Sequence, residues 1–147
     1  LLLLLYRTSA KNGGDVTLKT MRQLHRESPQ TVQDILDYLR EAPLYEAITA
    51  GGRDFLLVHS GIDNFDKRKK MSQYSADDLL WASPELETEY FDDIITVFGH
   101  TPTIFFGEEY DGKIIKTGTW IDIDVGAGFG QKAALLRLDD LKEFYAD

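Results

Sequence analysis

Cysteine is absent from the 147 residues. That absence excludes disulfides, thiolate zinc sites, iron–sulfur clusters and a cysteine nucleophile together. It fits a reducing, cytoplasmic compartment. Basic side chains are scarce beside acidic ones: 16 Lys and Arg face 25 Asp and Glu, for a formal charge of −9. Such a balance argues against holding nucleic acid by phosphate neutralisation and against a polybasic membrane contact. Long apolar runs are missing too. Leu1 to Leu5 fall well short of the roughly 20 residues of a bilayer span, and no basic segment precedes them as in a signal peptide. What remains is 43% hydrophobic and 12% aromatic, the composition of a chain that buries a core. The chain starts at Leu1 within an apolar run rather than at methionine. The expectation is therefore a single, partial domain over residues 1–147, cut from a longer polypeptide.

Asn12-Gly13-Gly14-Asp15 reads as a turn with Asp15 as N-cap, opening a helix that runs to about Arg26. Ser28-Pro29 predicts a second start, with Ser28 as cap and Pro29 in the first helical position. The helix over Thr31 to Arg40 carries Val32, Ile35, Leu36 and Leu39 on one stripe, so that stripe should lie on a core. Pro43 ends it, and Leu44 to Ile48 reads as a short strand or one more turn. Two apolar runs without alternation, Phe55 to Val58 and Ile94 to Phe98, predict strands buried on both faces. Between them, Asp63 to Gln73 reads as a charged surface loop, Ala76 to Trp81 as a helix and Pro84 to Phe91 as a turn or short helix. Thr103 to Phe106, Lys113 to Lys116, Trp120 to Val125 and Ala133 to Leu138 read as short strands. No repeat, low-complexity tract or linker interrupts the chain.

Chemistry-bearing residues are few. Of the three histidines, His25 sits in a helical pattern and reads as surface. His59 and His100 each follow an apolar strand, where rigid sheets place functional groups. A lone histidine is commonly structural, but two in matching positions suggest one shared site. Imidazoles there suit Zn, Mn or Fe if carboxylates complete the shell. Other signals are bland. Gly126-Ala127-Gly128-Phe129-Gly130 lacks the register of a dinucleotide fingerprint and reads as a bend. Glu85, Glu87, Glu89, Asp92 and Asp93 read as a solvated acidic face. His59-Ser60 lacks a nucleophile elbow. Asp122 and Asp124 alternate along a strand and are expected to face solvent or a turn.

Three segments together resemble the calcineurin-like metallophosphoesterases of the bacterial serine/threonine protein phosphatase type. Phe55-Leu-Leu-Val-His-Ser-Gly-Ile62 is similar to that family's LLVHAGI, and Val97-Phe-Gly-His-Thr-Pro-Thr103 to its VFGHTPT. Ile121-Asp-Ile-Asp-Val-Gly-Ala127, running on to Leu138, is similar to its IDIDTGA…LRLDD ending. Asn12-Gly13-Gly14 and Leu79-Leu80-Trp81 fall in the expected order. The resemblance implies an α/β fold, the C-terminal half of an α/β/β/α sandwich, with a mixed sheet and flanking helices. It also implies a dinuclear site of divalent metal ions that activates water against a phosphoester of a phosphoprotein or small molecule. His59 and His100 would then be metal ligands, with Ser60 and Thr101 orienting them as neighbours.

The departures carry equal weight. The family's GDxHG, GDxxDRG and GNHE segments, which hold the remaining ligands and the catalytic histidine, are absent, so the N-terminal metal-ligand half is expected to be missing. Where the family reads Trp-x-Arg, with the arginine gripping phosphate, this chain reads Trp81-Ala82-Ser83. Two imidazoles make at most a partial site, and this chain alone is expected to be inactive. The competing readings are a non-catalytic phosphatase-fold module that binds partners or metal weakly, and a generic α/β domain with structural histidines. Lys67, Arg68, Lys69 and Lys70, just after His59, either meet an anionic substrate or stand in a solvated loop. A half-fold would leave the strands ending at His59 and His100 with exposed faces and unpaired edges. The isolated chain should self-associate, and sedimentation velocity at high concentration showing only monomer would contradict this.

Overall fold

The computed structural model describes residues 14–146. Leu1 to Leu5, and Asn12 and Gly13 of the expected first turn, lie outside the described residues. The chain divides into two compact units, one ending at Ala42 and one starting at Pro43.

The first unit pairs helices α1 (Gly14–Glu27) and α2 (Pro29–Glu41). Asp15 lies within the first turn of α1 rather than capping it, where its charge still meets the positive end of the helix dipole. Ser28 is the N-cap of α2 and Pro29 opens the helix, because a residue without an N–H loses nothing there. The Ser28 hydroxyl bonds to the Thr31 hydroxyl, 2.8 Å away, rather than to a backbone N–H. Val32 is buried and Ile35 and Leu36 half-buried, whereas Leu39 stands exposed. On the opposite face, Gln30 donates to Asp34 and Gln33 to Asp37 at i,i+4 spacing. His25 is exposed, as its polar neighbours suggest.

The second unit is built on a five-stranded mixed sheet in the order β1-β2-β3-β5-β4. Strands β1 (Tyr45–Ala50) and β2 (Arg53–Val58) form a hairpin across Gly51-Gly52. Strands β2, β3 (Ile94–Phe98) and β5 (Trp120–Asp122) run parallel, and β4 (Ile115–Lys116) pairs antiparallel with β5. Both faces of the central strands are covered, which is why β2 and β3 read as unbroken apolar runs. Leu56, Val58, Phe98 and Trp120 pack with Leu79 and Tyr90 on one face. Phe55, Val97 and Ile121 pack with Ile114 and Val125 on the other. A second hairpin, β6 (Ala134–Arg137) with β7 (Lys142–Tyr145), brings Ala134, Leu136, Leu138 and Leu141 against that second cluster. The architecture is thus mixed α/β. No helix among the described residues is long and apolar enough to cross a membrane.

Three expectations need correction. Thr103 to Phe106 is a 3-10 helix, not a strand. Phe105 N–H bonds back to the Pro102 carbonyl and the following Gly107 N–H to Ile104, while Thr103 N–H donates to the Asp124 carbonyl, so the segment coils on itself instead of extending. The strands ending at His59 and His100 have neighbours on both sides, so the sheet edges fall on β1 and on the two-residue β4. Beyond Asp122 the chain leaves the ladder for a turn. Two of the expected segments between β2 and β3 fall where the sequence places them. Helix α3 (Ala76–Leu80) is capped reciprocally by Ser75 and Asp78 and anchored by the fully buried Leu79. Asp63 to Gln73 is an irregular loop with one 3-10 turn, Met71–Gln73.

Gly51 and Gly52 both have positive φ, but only Gly51 is crowded: a Cβ there would run into the Asp139 carbonyl, whereas Gly52 faces open space. Gly51→Ala should therefore destabilise the fold by more than ~2 kcal/mol, against about 1 kcal/mol of conformational strain for Gly52→Ala. Urea unfolding of the two variants side by side checks this, and equal losses would contradict the close approach.

Candidate functional site

Because β2, β3 and β5 are parallel, their C-terminal ends share one edge of the sheet. His59 follows β2, His100 follows β3 by one glycine, and Asp124 follows β5 by one isoleucine. Hydrogen bonds continue the strands past their formal ends and hold these turns together. Gly99 N–H donates to the His59 carbonyl at 3.0 Å, and Ile123 N–H to the Phe98 carbonyl at 2.9 Å.

The two imidazoles meet there. His59 Nε2 lies 3.0 Å from His100 Nδ1, with ring centroids 4.8 Å apart. A neutral pair at that distance shares one proton, one ring donating and the other accepting. His100 has φ of +75°, a conformation that costs a residue with a Cβ about 1–2 kcal/mol and that recurs at functional sites. Thr101 N–H, bonded to the Gly99 carbonyl at 2.9 Å, closes the tight turn that imposes it. Trp81 meets His100 edge to face at 5.3 Å. Burial of the His59 ring and the charge on His100 hold the His59 pKa below the ordinary histidine value, against an opposing pull from Asp124. The shift favours the uncharged ring, the form that ligates metals.

Ser60 is fully buried, but its hydroxyl is spent on the chain rather than on an imidazole. It donates to the Leu79 carbonyl and accepts from Ala82 N–H, both at 2.9 Å. It thereby ties the end of β2 to the turn that carries Trp81. Thr101 is half-buried and its hydroxyl bonds to neither histidine. The basic loop is engaged locally. Lys67 pairs with Asp92 at 2.6 Å, Arg68 with Asp66 at 2.7 Å, and Lys69 stands over the Tyr74 ring. Gly126 and Gly130 take left-handed conformations around a 3-10 turn, the tight bend expected.

Asp122 is the residue that the alternation argument misplaces. It is fully buried, with one carboxylate oxygen accepting Asp124 N–H at 2.9 Å and the other without a partner. Burial, reinforced by the Asp124 charge, raises its pKa to about 7. The sequence held a signal for this: Asp122 shares a strand face with Trp120, the largest core residue, so period-2 geometry turns it inward. Asp124 does sit in a turn, accepting Gly126 N–H.

A divalent ion bound by two imidazoles at about 2.0–2.1 Å, on adjacent coordination positions, needs the nitrogens roughly 3 Å apart. The His59–His100 spacing matches. No group of three His, Cys, Asp or Glu that could hold a metal occurs among the described residues, so the pair fits as part of a ligand set and not as a closed one. A cleft of about 380 Å³ has Thr101, the residue after His100, in its lining, together with Ser83, two residues after Trp81. Compared with protein-family models and with curated proteins, the chain matches none.

The raised Asp122 pKa makes a signed prediction. Between 3.8 and about 7 the folded state holds more protons than the unfolded state, so stability falls as pH rises through that window. Asp122→Asn removes the slope. It should stabilise the fold by ~1–3 kcal/mol at pH 8, with the gain vanishing near pH 4. Denaturant unfolding at both pH values checks this, and a gain independent of pH would contradict it.

Proposed function

We propose that this chain carries part of a metal-dependent phosphoester hydrolase of the calcineurin-like type, resembling the serine/threonine protein phosphatases. The observation that carries the reading is the meeting of His59 Nε2 and His100 Nδ1 at 3.0 Å, delivered by two neighbouring parallel strands. The spacing suits two cis ligands, and the low His59 pKa keeps that ring available to an ion. Mn, Fe or Zn are the candidate ions. When bound, such an ion polarises a phosphoryl oxygen and lowers the pKa of its water. The chain's own residues orient and supply. Gly99 and Thr101 lock the His100 turn, Ser60 fixes the segment carrying Trp81, and Trp81 supports the His100 ring. A mixed sheet beside a separate hairpin is compatible with the C-terminal portion of an α/β/β/α sandwich.

Two observations favour a second reading, a phosphatase-fold module without activity of its own. Two ligands do not make a dinuclear centre, and Ser83 stands where a phosphate-gripping arginine would. On either reading the chain by itself does not hydrolyse phosphoesters.

Titration of Mn²⁺ or Co²⁺ into the chain, beside a His59→Ala/His100→Ala variant, should show binding weakened about tenfold or more by the double substitution. Assayed with para-nitrophenyl phosphate and Mn²⁺, both proteins should be equally inactive. Hydrolysis above the variant would overturn the partial site. Binding indifferent to both histidines would overturn the ligand assignment.

A further inference from the structure

The cleft beside the histidine pair has a chemistry that phosphate binding does not explain. One wall is the turn 83–87 and the other is the 3-10 helix Thr103–Phe106. Thr103 is buried and Phe106 packs on Trp120 with centroids 5.8 Å apart. That packing turns Phe105 outward, where it lines the cleft 72% exposed. Leu86 and Phe106 add apolar surface alongside it.

The rim has one sign of charge. Glu85 and Glu87 line the cleft and are exposed, and neither carboxylate has a partner among the described residues. The Glu85 N–H is bonded to the Thr88 hydroxyl at 2.9 Å, and Thr88 N–H returns to the Glu85 carbonyl at 3.0 Å. This pins the turn's backbone. No Lys, Arg or His lines the cleft. An anion entering it meets two unpaired carboxylates, whereas a cation with an apolar neighbour meets complementary charge and an exposed ring. The volume, about 380 Å³, lies at the small end of ligand clefts, room for a few side chains rather than a folded domain.

We infer that this cleft docks an extended peptide segment bearing a lysine or arginine next to an aliphatic or aromatic side chain. The inference deepens the phosphatase reading, and rests on it only in making that peptide part of a phosphoprotein substrate whose phosphate lies toward His59 and His100. Docking itself needs neither phosphate nor metal. A failure here is thus distinguishable from a failure of the metal site.

The test uses the 147-residue chain and three unphosphorylated, fluorescein-labelled decapeptides, followed by fluorescence polarisation at low salt. Their cores are Arg-Leu-Arg-Phe, Glu-Leu-Glu-Phe and Arg-Ser-Arg-Ser. The first should bind at least about tenfold more tightly than either of the others, and more weakly as salt rises. Glu85→Gln/Glu87→Gln and, separately, Phe105→Ser should each weaken it about tenfold without moving the melting temperature, because all three side chains are exposed. Should Phe105→Ser disturb folding, the charge pair alone decides. Equal binding of the acidic peptide, absence of binding, or binding indifferent to the Glu substitutions would each overturn the groove, whatever the metal titration shows.

Discussion

Parallel hydrogen bonding among β2, β3 and β5 is the constraint on which the site depends. Parallel strands finish on the same side of a sheet, so whatever follows each of them is brought within reach of the others. Residues 59, 100 and 124, spread over 65 positions of chain, gather for that reason alone. The ladder also fixes the order. β3 lies between β2 and β5, so the turn after β3 is held from both sides, by the His59 carbonyl on one flank and by Ile123 N–H on the other. A turn clamped in this way can keep a non-glycine residue at φ +75°, and the left-handed His100 presents its ring to His59. An antiparallel arrangement of the same strands would send the two histidines to opposite ends of the sheet.

Around that edge the electrostatics divide into two zones. Within the pair, burial of the His59 ring and the neighbouring His100 both disfavour charge on His59. Neutral imidazole is a donor to metals and a weak partner for bare phosphate. Just outside, the cleft wall offers carboxylates and a phenyl ring. On the reading proposed above, the two zones would suit different parts of one ligand: an anionic group held at the pair through an ion, and a cationic, apolar flank seated in the cleft. A protein with net charge −9 has little long-range attraction for free phosphate anions. A basic peptide is drawn by the same field.

How far the sequence could be read differed from element to element, for physical reasons. Phe55 to Val58 and Ile94 to Phe98 were legible as buried strands because a two-sided environment leaves an apolar run without alternation. The Ser28-Pro29 start was legible because capping is local chemistry. Thr103 to Phe106 was misread: β-branched and aromatic residues favour strands, but Pro102 and Gly107 at its ends let the chain close on itself in i,i+3 bonds instead. Asp122 departs from the solvent-facing expectation because it shares a strand face with the buried Trp120, and that face, not the polarity of its side chain, sets its burial. Glu85 and Glu87 read as an ordinary solvated face, since nothing in the chain's order says that Phe105 stands opposite them.

From the sequence alone follow the absence of thiol chemistry, the acidic surface, the central strands and the pairing of two strand-end histidines as candidates. These depend on composition and on neighbours within a few residues, where backbone geometry and burial patterns act directly. Only the tertiary structure decided that His59 and His100 touch, that Asp122 is entombed with a raised pKa, that Ser60 serves the backbone, and that an acidic, aromatic cleft adjoins the pair. Each is a meeting of residues tens of positions apart. Strand order and packing set such meetings, and no local preference encodes them.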